Sequence, residues 1–466
     1  MRRLTLNAPP GAPFDFAVTV EGADAHDPTR VLTVTGPGGS AVEHRLPAAG
    51  QNDWLDLYAA LAPRFGARLP ANRRPAQTPS FHAAFRPLLT ENLTPDIFYG
   101  YGDPSVARHH RPDGTPEWWL VVTSNDAPNA FPLLRSTDLE RWRPAGFVFP
   151  EGRTPAWTLT GENAADYWAP ELHRVGDEWW LCYAARDHGH ELAIGLAKAA
   201  APGGPFRDLG RPLVGGGVID AHLLIGPEGA PHLLWKEDSN GVWPGLVAEL
   251  LHAEPSLIAA LFPAEEDRRT AALVVTLQPW TRTLEPMEQF FVHQPLIEAV
   301  TDDFSAFETR LAALARVDTA PILHAMRTRV FAQALLPDGS GLTGERMLVL
   351  QNDRPWEAHL IEGVWVAEHD GRWWLFYAGN DFSTDRYGVG AAVAEHPLGP
   401  YRKMDEPVLR STTEWRGPGH PSVAPGPDGR PTLFLHAYRP GEAGYKAFRA
   451  LLSAPIRFEA DRVRVG

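Results

Sequence analysis

Five short segments of the chain begin with residues that could do chemistry together. Their first residues are, in order, Asp103, Ala169, Asp220, Glu362 and His420. Each segment continues into a short apolar run that is typical of a β-strand. Alone, Asp103 could equally be a turn residue that caps its own backbone. Three acids in equivalent positions are a stronger signal, because acids that converge are costly unless they serve chemistry or bind a cation.

Cleavage of a glycosidic bond is a reaction that needs such acids. One carboxylate must be ionised to activate water, and a second must hold a proton for the leaving oxygen. A third acid near the proton donor would raise the donor's pKa by like-charge repulsion. Asp103, Asp220 and Glu362 are therefore our candidate catalytic residues. Trp168 and Glu171, in the second segment, are candidates for substrate binding, with Trp168 stacking on a sugar ring.

A longer repeat predicts the elements that must position these residues. A turn, a pair of bulky residues and an apolar run recur around Trp118, Trp179, His232, Trp373 and Thr432. This pattern predicts a turn followed by a strand. Five copies at blade-like spacing indicate a mainly β fold, a five-bladed β-propeller with about four strands per blade. The segments that carry the acids would then be the innermost strands, with their first residues around one axis.

The remaining parts of the chain have other patterns. Residues 1–95 are expected to form an N-terminal α+β accessory module, with strands near Phe14–Val20 and Val31–Thr35, a helix over Asn52–Phe65 and a linker over Leu69–Pro79. Blades 1–3 are assigned to 96–242 and blades 4–5 to 328–466. Between them, 243–327 is predicted to be an α-helical insertion, because apolar residues recur at helical spacing over Leu246–Phe262 and Leu296–Leu314. It could cover the propeller, contact a second subunit in a homo-oligomer or form a lid.

Composition narrows the functional classes. The 466 residues include 43 Lys and Arg against 57 Asp and Glu, for a net charge of −14. This balance argues against nucleic acid or an anionic membrane as the main partner. Cys182 is the only cysteine, so no disulfide can form within the chain. Met1–Pro10 has no apolar signal-peptide core, and no apolar run is long enough to span a membrane. We therefore expect a cytoplasmic location.

Five groups of motifs, in order, resemble glycoside hydrolase family 43. The chain is similar to that family over about 97–466, apart from the insertion. The motifs are Gly102–Val106 with Ser136–Trp142, Tyr167–His173 with Trp179–Tyr183, Ile219–Ile225 with Leu234–Asn240, Trp356–Glu357 with Ile361–Val364, and Gly417–His420. The neighbours of two acids depart from the usual pattern, because Ala221 follows Asp220 and Val364 follows Glu362-Gly363.

The resemblance implies an inverting hydrolase of α-L-arabinofuranosides or β-D-xylosides. It implies that Asp103 is the general base, Glu362 the general acid and Asp220 the residue that tunes the acid. His420 would lie near the axis, as a substrate contact or beside a bound ion such as calcium, and no cofactor is required. Two alternatives remain open: a non-catalytic propeller that binds a glycan or a protein, and a phosphorylase or transferase that would use Lys236 and Arg186 to hold phosphate.

Overall fold

The computed structural model of the protein describes residues 3–22, 29–74, 85–315 and 317–466. Its contacts divide the chain into two compact units, each built from two separated segments. The first unit comprises Met1–Ala76 and Ser239–Arg327, and the second comprises Gln77–Asp238 and Thr328–Gly466. Among the described residues, no helix is long and apolar enough to cross a membrane. The predicted linker Leu69–Pro79 lies partly outside the described residues.

The first unit begins with an antiparallel sheet whose strands pair in chain order: β1 (Arg3–Asn7), β2 (Ala17–Gly22), β3 (Arg30–Thr35) and β4 (Ala41–Leu46). The predicted strands near Phe14–Val20 and Val31–Thr35 correspond to β2 and β3, which are paired along their full length. Val18 and Val20 are buried while the residues between them are more exposed. The two-residue period of a strand explains this alternation.

Seven α-helices of the described chain also belong to the first unit: α1 (Gln51–Phe65), α2 (Val242–Ala253), α3 (Leu257–Leu261), α4 (Glu265–Thr281), α5 (Pro286–Thr301), α6 (Phe304–Ala312) and α7 (Ala320–Ala325). Helix α1 matches the predicted helix. The Asp53 carboxylate accepts the Gly50 N–H at its start, and Gly66 ends it with a φ of 64°. A left-handed glycine at this position is a common helix stop.

Helices α2 to α6 differ in detail from the prediction. The segment Leu246–Phe262 is divided into α2 and α3 around Pro255, which cannot donate the hydrogen bond that a helix interior requires. The segment Leu296–Leu314 is likewise divided between α5 and α6. Helix α4 was not predicted, because residues 270–278 are all buried and leave no polar face to reveal the helical period.

The two segments of the first unit share one core. The rings of Trp54 in α1 and Trp280 in α4 lie 5.8 Å apart. The Tyr58 hydroxyl donates to the Val292 carbonyl at 2.6 Å, and Arg68 forms a buried ion pair with Asp267 at 2.8 Å. The segments predicted as an accessory module and as an insertion therefore fold together as a single unit.

The second unit contains five antiparallel sheets built from consecutive strands. Sheet one contains β6 (Ser105–His110), β7 (Pro116–Val121), β8 (Ala130–Ser136) and β9 (Arg143–Phe149). Sheet two contains β10 (Trp168–Val175), β11 (Glu178–Arg186), β12 (Leu192–Ala199) and β13 (Arg207–Asp208). Sheet three contains β14 (Val218–Ile225), β15 (Pro231–Glu237), β16 (Arg329–Leu335) and β17 (Leu342–Gln351). Sheet four contains β18 (Ile361–His369), β19 (Arg372–Gly379), β20 (Gly388–Ala394) and β21 (Arg402–Lys403). Sheet five contains β22 (Arg416–Pro425), β23 (Pro431–Tyr438), β24 (Ala450–Glu459) and β25 (Arg462–Val465). A strand that precedes them in the chain, β5 (Arg86–Leu89), pairs with β24 of sheet five.

The repeated motif lies on the second strand of every sheet, namely β7, β11, β15, β19 and β23. Trp118, Trp180 and Trp374 from its bulky pairs are almost fully buried. Their burial supports a packing role for the repeated tryptophans. The first strands of neighbouring sheets contact one another in the closed order β6, β10, β14, β18, β22 and back to β6, an arrangement typical of sheets around a common axis.

A four-residue segment of one shape, the ring segment, lies at or near the start of each first strand: residues 102–105, 168–171, 219–222, 362–365 and 419–422. In sheets two to five, the pairing with the second strand slips between its first and fourth residues. The second residue always has a left-handed backbone, with φ of 52° at Asp103, 46° at Ala169, 57° at Asp220, 57° at Gly363 and 49° at His420. The sequence alignment therefore had one error of register. Gly363 is the counterpart of the other four residues, and Glu362 precedes that position.

The fourth residues of the ring segments bind neighbouring sheets together. The Ser105 hydroxyl accepts the N–H of Leu172 at 3.0 Å, and the Ser422 hydroxyl accepts the N–H of Val106 at 3.3 Å. In the same way, His222 Nε2 accepts the N–H of Val366 at 3.1 Å. The counterpart in sheet four, Trp365, has no acceptor and packs its ring against histidines instead.

Candidate active site

The three predicted acids lie close enough to influence one another. Asp103, Asp220 and Glu362 are all buried, with 7–9% of each residue exposed. The charges of Asp103 and Glu362 both raise the pKa of Asp220, and all three acids raise the pKa of the Tyr387 hydroxyl. The sequence predicted this convergence; it did not indicate Tyr387.

Asp103 is surrounded by donors and positive charge. Arg449 Nη1 lies 2.7 Å from Oδ1, and the Thr123 hydroxyl donates to Oδ2. Burial alone would raise the pKa of Asp103, but the charges of Arg449 and His420 outweigh burial and hold the pKa well below its usual range. The backbone N–H of Asp103 donates to His436 Nδ1 at 3.1 Å. Asp103 is therefore ionised across the neutral range.

Asp220 has the opposite balance. Its Oδ2 accepts the backbone N–H of Gly363 at 2.8 Å. Burial raises the pKa of Asp220 to about 6, with opposing contributions from the positive charge of His420 and the negative charge of Glu362. Environments that push the pKa values of two acids apart are typical of sites that use one acid as a base and keep another available for a proton.

Glu362 is held by both carboxylate oxygens. Lys236 Nζ lies 3.1 Å from Oε2, and the Tyr387 hydroxyl donates to Oε1 at 2.7 Å. Lys236 is 1% exposed, and burial would lower its pKa, but the charges of Glu362 and Asp238 raise it. From the sequence, Lys236 was a candidate only for holding phosphate. Its position at the end of an apolar strand, in a chain with four lysines, was the available signal that it has a role in the site.

His420 lies next to Asp103. Its Nδ1 is 3.4 Å from Asp103 Oδ1, and a Cβ atom at Gly363 would come within 2.9 Å of its ring. The predicted calcium ion does not fit these donors directly. Calcium takes six to eight oxygen ligands, whereas both Asp103 oxygens already have protein partners and Arg449 supplies a competing positive charge.

Two glycines make room for side chains that contact the acids. Gly102 and Gly419 are the first residues of their ring segments, the position that Glu362 has in sheet four. A Cβ atom at Gly102 would lie 1.8 Å from the Arg449 guanidinium, and one at Gly419 would lie 1.9 Å from the Tyr387 ring. In the sequence, these two glycines indicate that a bulky side chain packs against the backbone at each position. They do not identify those side chains as Arg449 and Tyr387.

Trp168 occupies that same first position in sheet two and is partly exposed. Its Nε1–H donates to Asn125 Oδ1 at 2.9 Å. The Arg186 guanidinium lies 6.0 Å from the Trp168 ring, and Tyr445 approaches it edge-on at 6.3 Å. These contacts fix the indole, while its exposure leaves surface for a ligand. The following residue, Ala169, donates its N–H to Thr123 Oγ1, which itself binds Asp103.

Glu171 belongs to a different cluster, with two histidine partners. Its Oε2 lies 2.8 Å from both His173 Nε2 and His222 Nδ1. The geometry of the three side chains resembles a metal site. The hydrogen bonds of His222 do not fit a metal site. His222 Nε2 accepts the backbone N–H of Val366, so the ring proton must be on Nδ1. Nδ1 is the atom that would have to bind the metal, and a protonated nitrogen cannot do so. A contact between Glu171 and substrate stays a prediction.

The comparisons with known proteins agree with this fold. A model of glycosyl hydrolases family 43 matches residues 97–258 and 318–463. Because the match covers more than half of the chain, the protein belongs to that family of glycoside hydrolases. This confirms the family that the motifs predicted.

Individual relatives are more distant. The chain is 33% identical over 106 residues to an extracellular exo-α-(1→5)-L-arabinofuranosidase of Streptomyces chartreusis, a match over 22% of this chain and 28% of that enzyme. A thermostable family-43 glycoside hydrolase has a similar structure, with a TM-score of 0.55, 23% identity, and coverage of 78% of this chain and 92% of the other. An endo-1,4-β-xylanase of Bacteroides thetaiotaomicron gives a TM-score of 0.52 at 17% identity, over 79% and 95% of the two chains.

Proposed function

We propose that the protein is an inverting glycosidase of pentose-containing glycosides or oligosaccharides, built on a five-bladed propeller formed by sheets one to five. The observation that carries the proposal is the different setting of the three acids. The charges of Arg449 and His420 hold Asp103 ionised, while burial and the charge of Glu362 raise the pKa of Asp220 to about 6. An inverting mechanism needs one ionised base and one protonated acid. We assign the base to Asp103 and the acid to Glu362, because the neighbouring Asp220 can tune that acid by like-charge repulsion.

The proposed reaction is a single displacement. Asp103 takes a proton from water as the water oxygen attacks the anomeric carbon. The bond from that carbon to the leaving oxygen breaks, and Glu362 gives its proton to the leaving oxygen. Asp220 influences the proton donor by its charge, and Tyr387 holds one oxygen of Glu362. The anomeric carbon inverts because water enters on the face opposite the leaving group.

The substrate class rests on the relatives and on the aromatic surface near the acids. The matched Streptomyces enzyme is an α-L-arabinofuranosidase by name, and the Bacteroides structure is a xylanase by name. The fixed, partly exposed indole of Trp168 would offer an apolar face to a pentose ring. We infer that α-L-arabinofuranosides and β-D-xylosides are the first substrates to assay.

The contacts give less support to phosphate transfer. That reaction would require cations near the acids that can hold phosphate. Lys236 forms its ion pair with Glu362, and Arg186 forms one with Asp166 at 2.5 Å. Both residues considered for phosphate therefore already bind carboxylates, and water is the simpler acceptor. Turnover that depends on added phosphate would reverse this preference.

The test compares wild type with Asp103→Asn and Glu362→Gln on aryl arabinofuranosides and xylosides. Loss of the base should lower kcat on every substrate, by about 10²–10⁴-fold. Loss of the acid should lower kcat strongly for a poor leaving group such as methylphenol and weakly for dinitrophenol, which leaves without a proton. The exposed Glu228 serves as the control, as Glu228→Gln. Wild-type rates from both site variants would refute the assignment.

A further inference from the structure

The contacts of Glu362 carry an inference about its partner Lys236. Lys236 lies in β15 of sheet three, whereas Glu362 begins the ring segment of sheet four. The ammonium is 3.1 Å from Oε2, and both residues are buried. An ammonium group has three donors and no acceptor. It offers no acceptor to an O–H on Oε2, so it favours the state in which Oε2 carries no proton.

Tyr387, on the other oxygen, has different capacities. A phenol hydroxyl both donates and accepts, so the Tyr387 hydroxyl can face Oε1 whether or not that oxygen carries a proton. In the structure it donates to Oε1 at 2.7 Å. The two carboxylate oxygens of Glu362 are thus inequivalent, because Tyr387 can accept a proton carried by Oε1 whereas Lys236 disfavours a proton on Oε2.

We propose that Lys236 is the positioning residue of the catalytic acid, which keeps Oε2 unprotonated and so assigns proton delivery to Oε1 of Glu362. This inference rests on the proposed function, since it requires Glu362 to be the proton donor. The positive charge of Lys236 also favours the carboxylate form of its partner. Removal of this charge is therefore expected to extend to higher pH the activity that depends on proton delivery.

Other charged groups also face this pair. Burial and the charge of Glu362 both raise the pKa of Asp220 and the pKa of the Tyr438 hydroxyl. Asp238 lies 3.9 Å from Lys236 Nζ, and the charge of Lys236 lowers the pKa of His359. Lys236 is the cation in contact with a Glu362 oxygen, so its removal changes the charge at the acid most directly.

The experiment measures kcat/KM against pH for a pentoside with a poor leaving group. In Lys236→Met the carboxyl should keep its proton to higher pH, so the alkaline limb of the profile should move up by about one pH unit or more. Lys236→Arg keeps the charge, and its alkaline limb should stay near that of wild type. Tyr387→Phe removes a neutral donor and should lower the rate with a smaller displacement of the limb. If Lys236→Met does not fold, Lys236→Gln supplies the uncharged variant, because its amide still donates to Oε2.

The outcomes separate the two proposals. Glu362→Gln must first show the dependence on leaving group that identifies the proton donor; without it, the proposed function fails. If that dependence is present but an uncharged variant at Lys236 keeps the wild-type alkaline limb, the role of Lys236 is refuted and the function stands. An equal displacement in Lys236→Arg would also refute it, because the effect would then not depend on charge.

Discussion

The ion pair between Arg449 and Asp103 gives the most specific expectation for the base. Replacement of Arg449 by Met removes the cation that lies 2.7 Å from Asp103 Oδ1. Two unit charges about 4 Å apart at an effective dielectric of about 20 interact by about 4 kcal/mol. One pH unit corresponds to about 1.4 kcal/mol, so an interaction of this size corresponds to about three units. Shifts caused by a neighbouring opposite charge span about 1–3 units.

The sign follows from the role of Asp103. Without Arg449, burial again favours the neutral acid, so Asp103 is protonated at higher pH and cannot accept a proton from water. The acid limb of kcat/KM should therefore move upward by about 1–3 pH units. The assay uses an aryl pentoside with a good leaving group, for which the proton donor matters little. Arg457→Met, at an exposed arginine in β24, is the matched control. An acid limb that does not move in Arg449→Met would refute this account of the base.

Three further expectations follow from the same contacts. Asp220→Asn should raise the free energy of unfolding at pH 8 by about 2–3 kcal/mol. The pKa of Asp220 is raised to about 6 in the folded protein, so the folded state loses stability as pH rises from about 4 to 6. Denaturant melts should therefore show this gain at pH 8 and little of it at pH 4, and equal gains at both values would contradict the expectation. Gly363→Ala should lower stability by about 1–3 kcal/mol, since its φ is 57° and the new methyl group meets His420; an unchanged melting temperature with full activity would argue against that crowding. Trp168→Ala should raise KM about tenfold, equivalent to about 1.4 kcal/mol, with a smaller change in kcat; an unchanged KM would remove Trp168 from the substrate contacts.

The sequence alone was sufficient for much of the architecture. A turn followed by bulky residues marks the second strand of all five sheets. Such a motif can be recognised in the sequence because the turn and the buried strand depend on residues that are adjacent in the chain. The acids were found for the same reason, since each lies at a fixed distance from that motif. The one-residue error at Glu362 arose because a bulge changes pairing without changing the apolar pattern.

The partners of the acids could not be predicted in this way. Arg449 and Tyr387 reach Asp103 and Glu362 from parts of the chain that have no motif in common with them. Such long-range pairs depend on the closure of the five sheets. Helix α4 was hidden for a different reason, because its residues 270–278 are buried on all sides and show no amphipathic period. Its union with the N-terminal sheet in one unit is likewise a long-range property. The intracellular location and a homo-oligomer remain predictions.

The central claim is that Asp103 directs water to the anomeric carbon in a single displacement. Proton NMR of the first turnovers on an aryl pentoside tests it most directly, because the anomer released can be observed before it equilibrates in water. The account predicts that wild type initially releases the anomer opposite to that of the substrate. It also predicts that Asp103→Asn releases almost none. Initial release of the same anomer as the substrate would contradict the claim, because retention requires a covalent intermediate on a carboxylate.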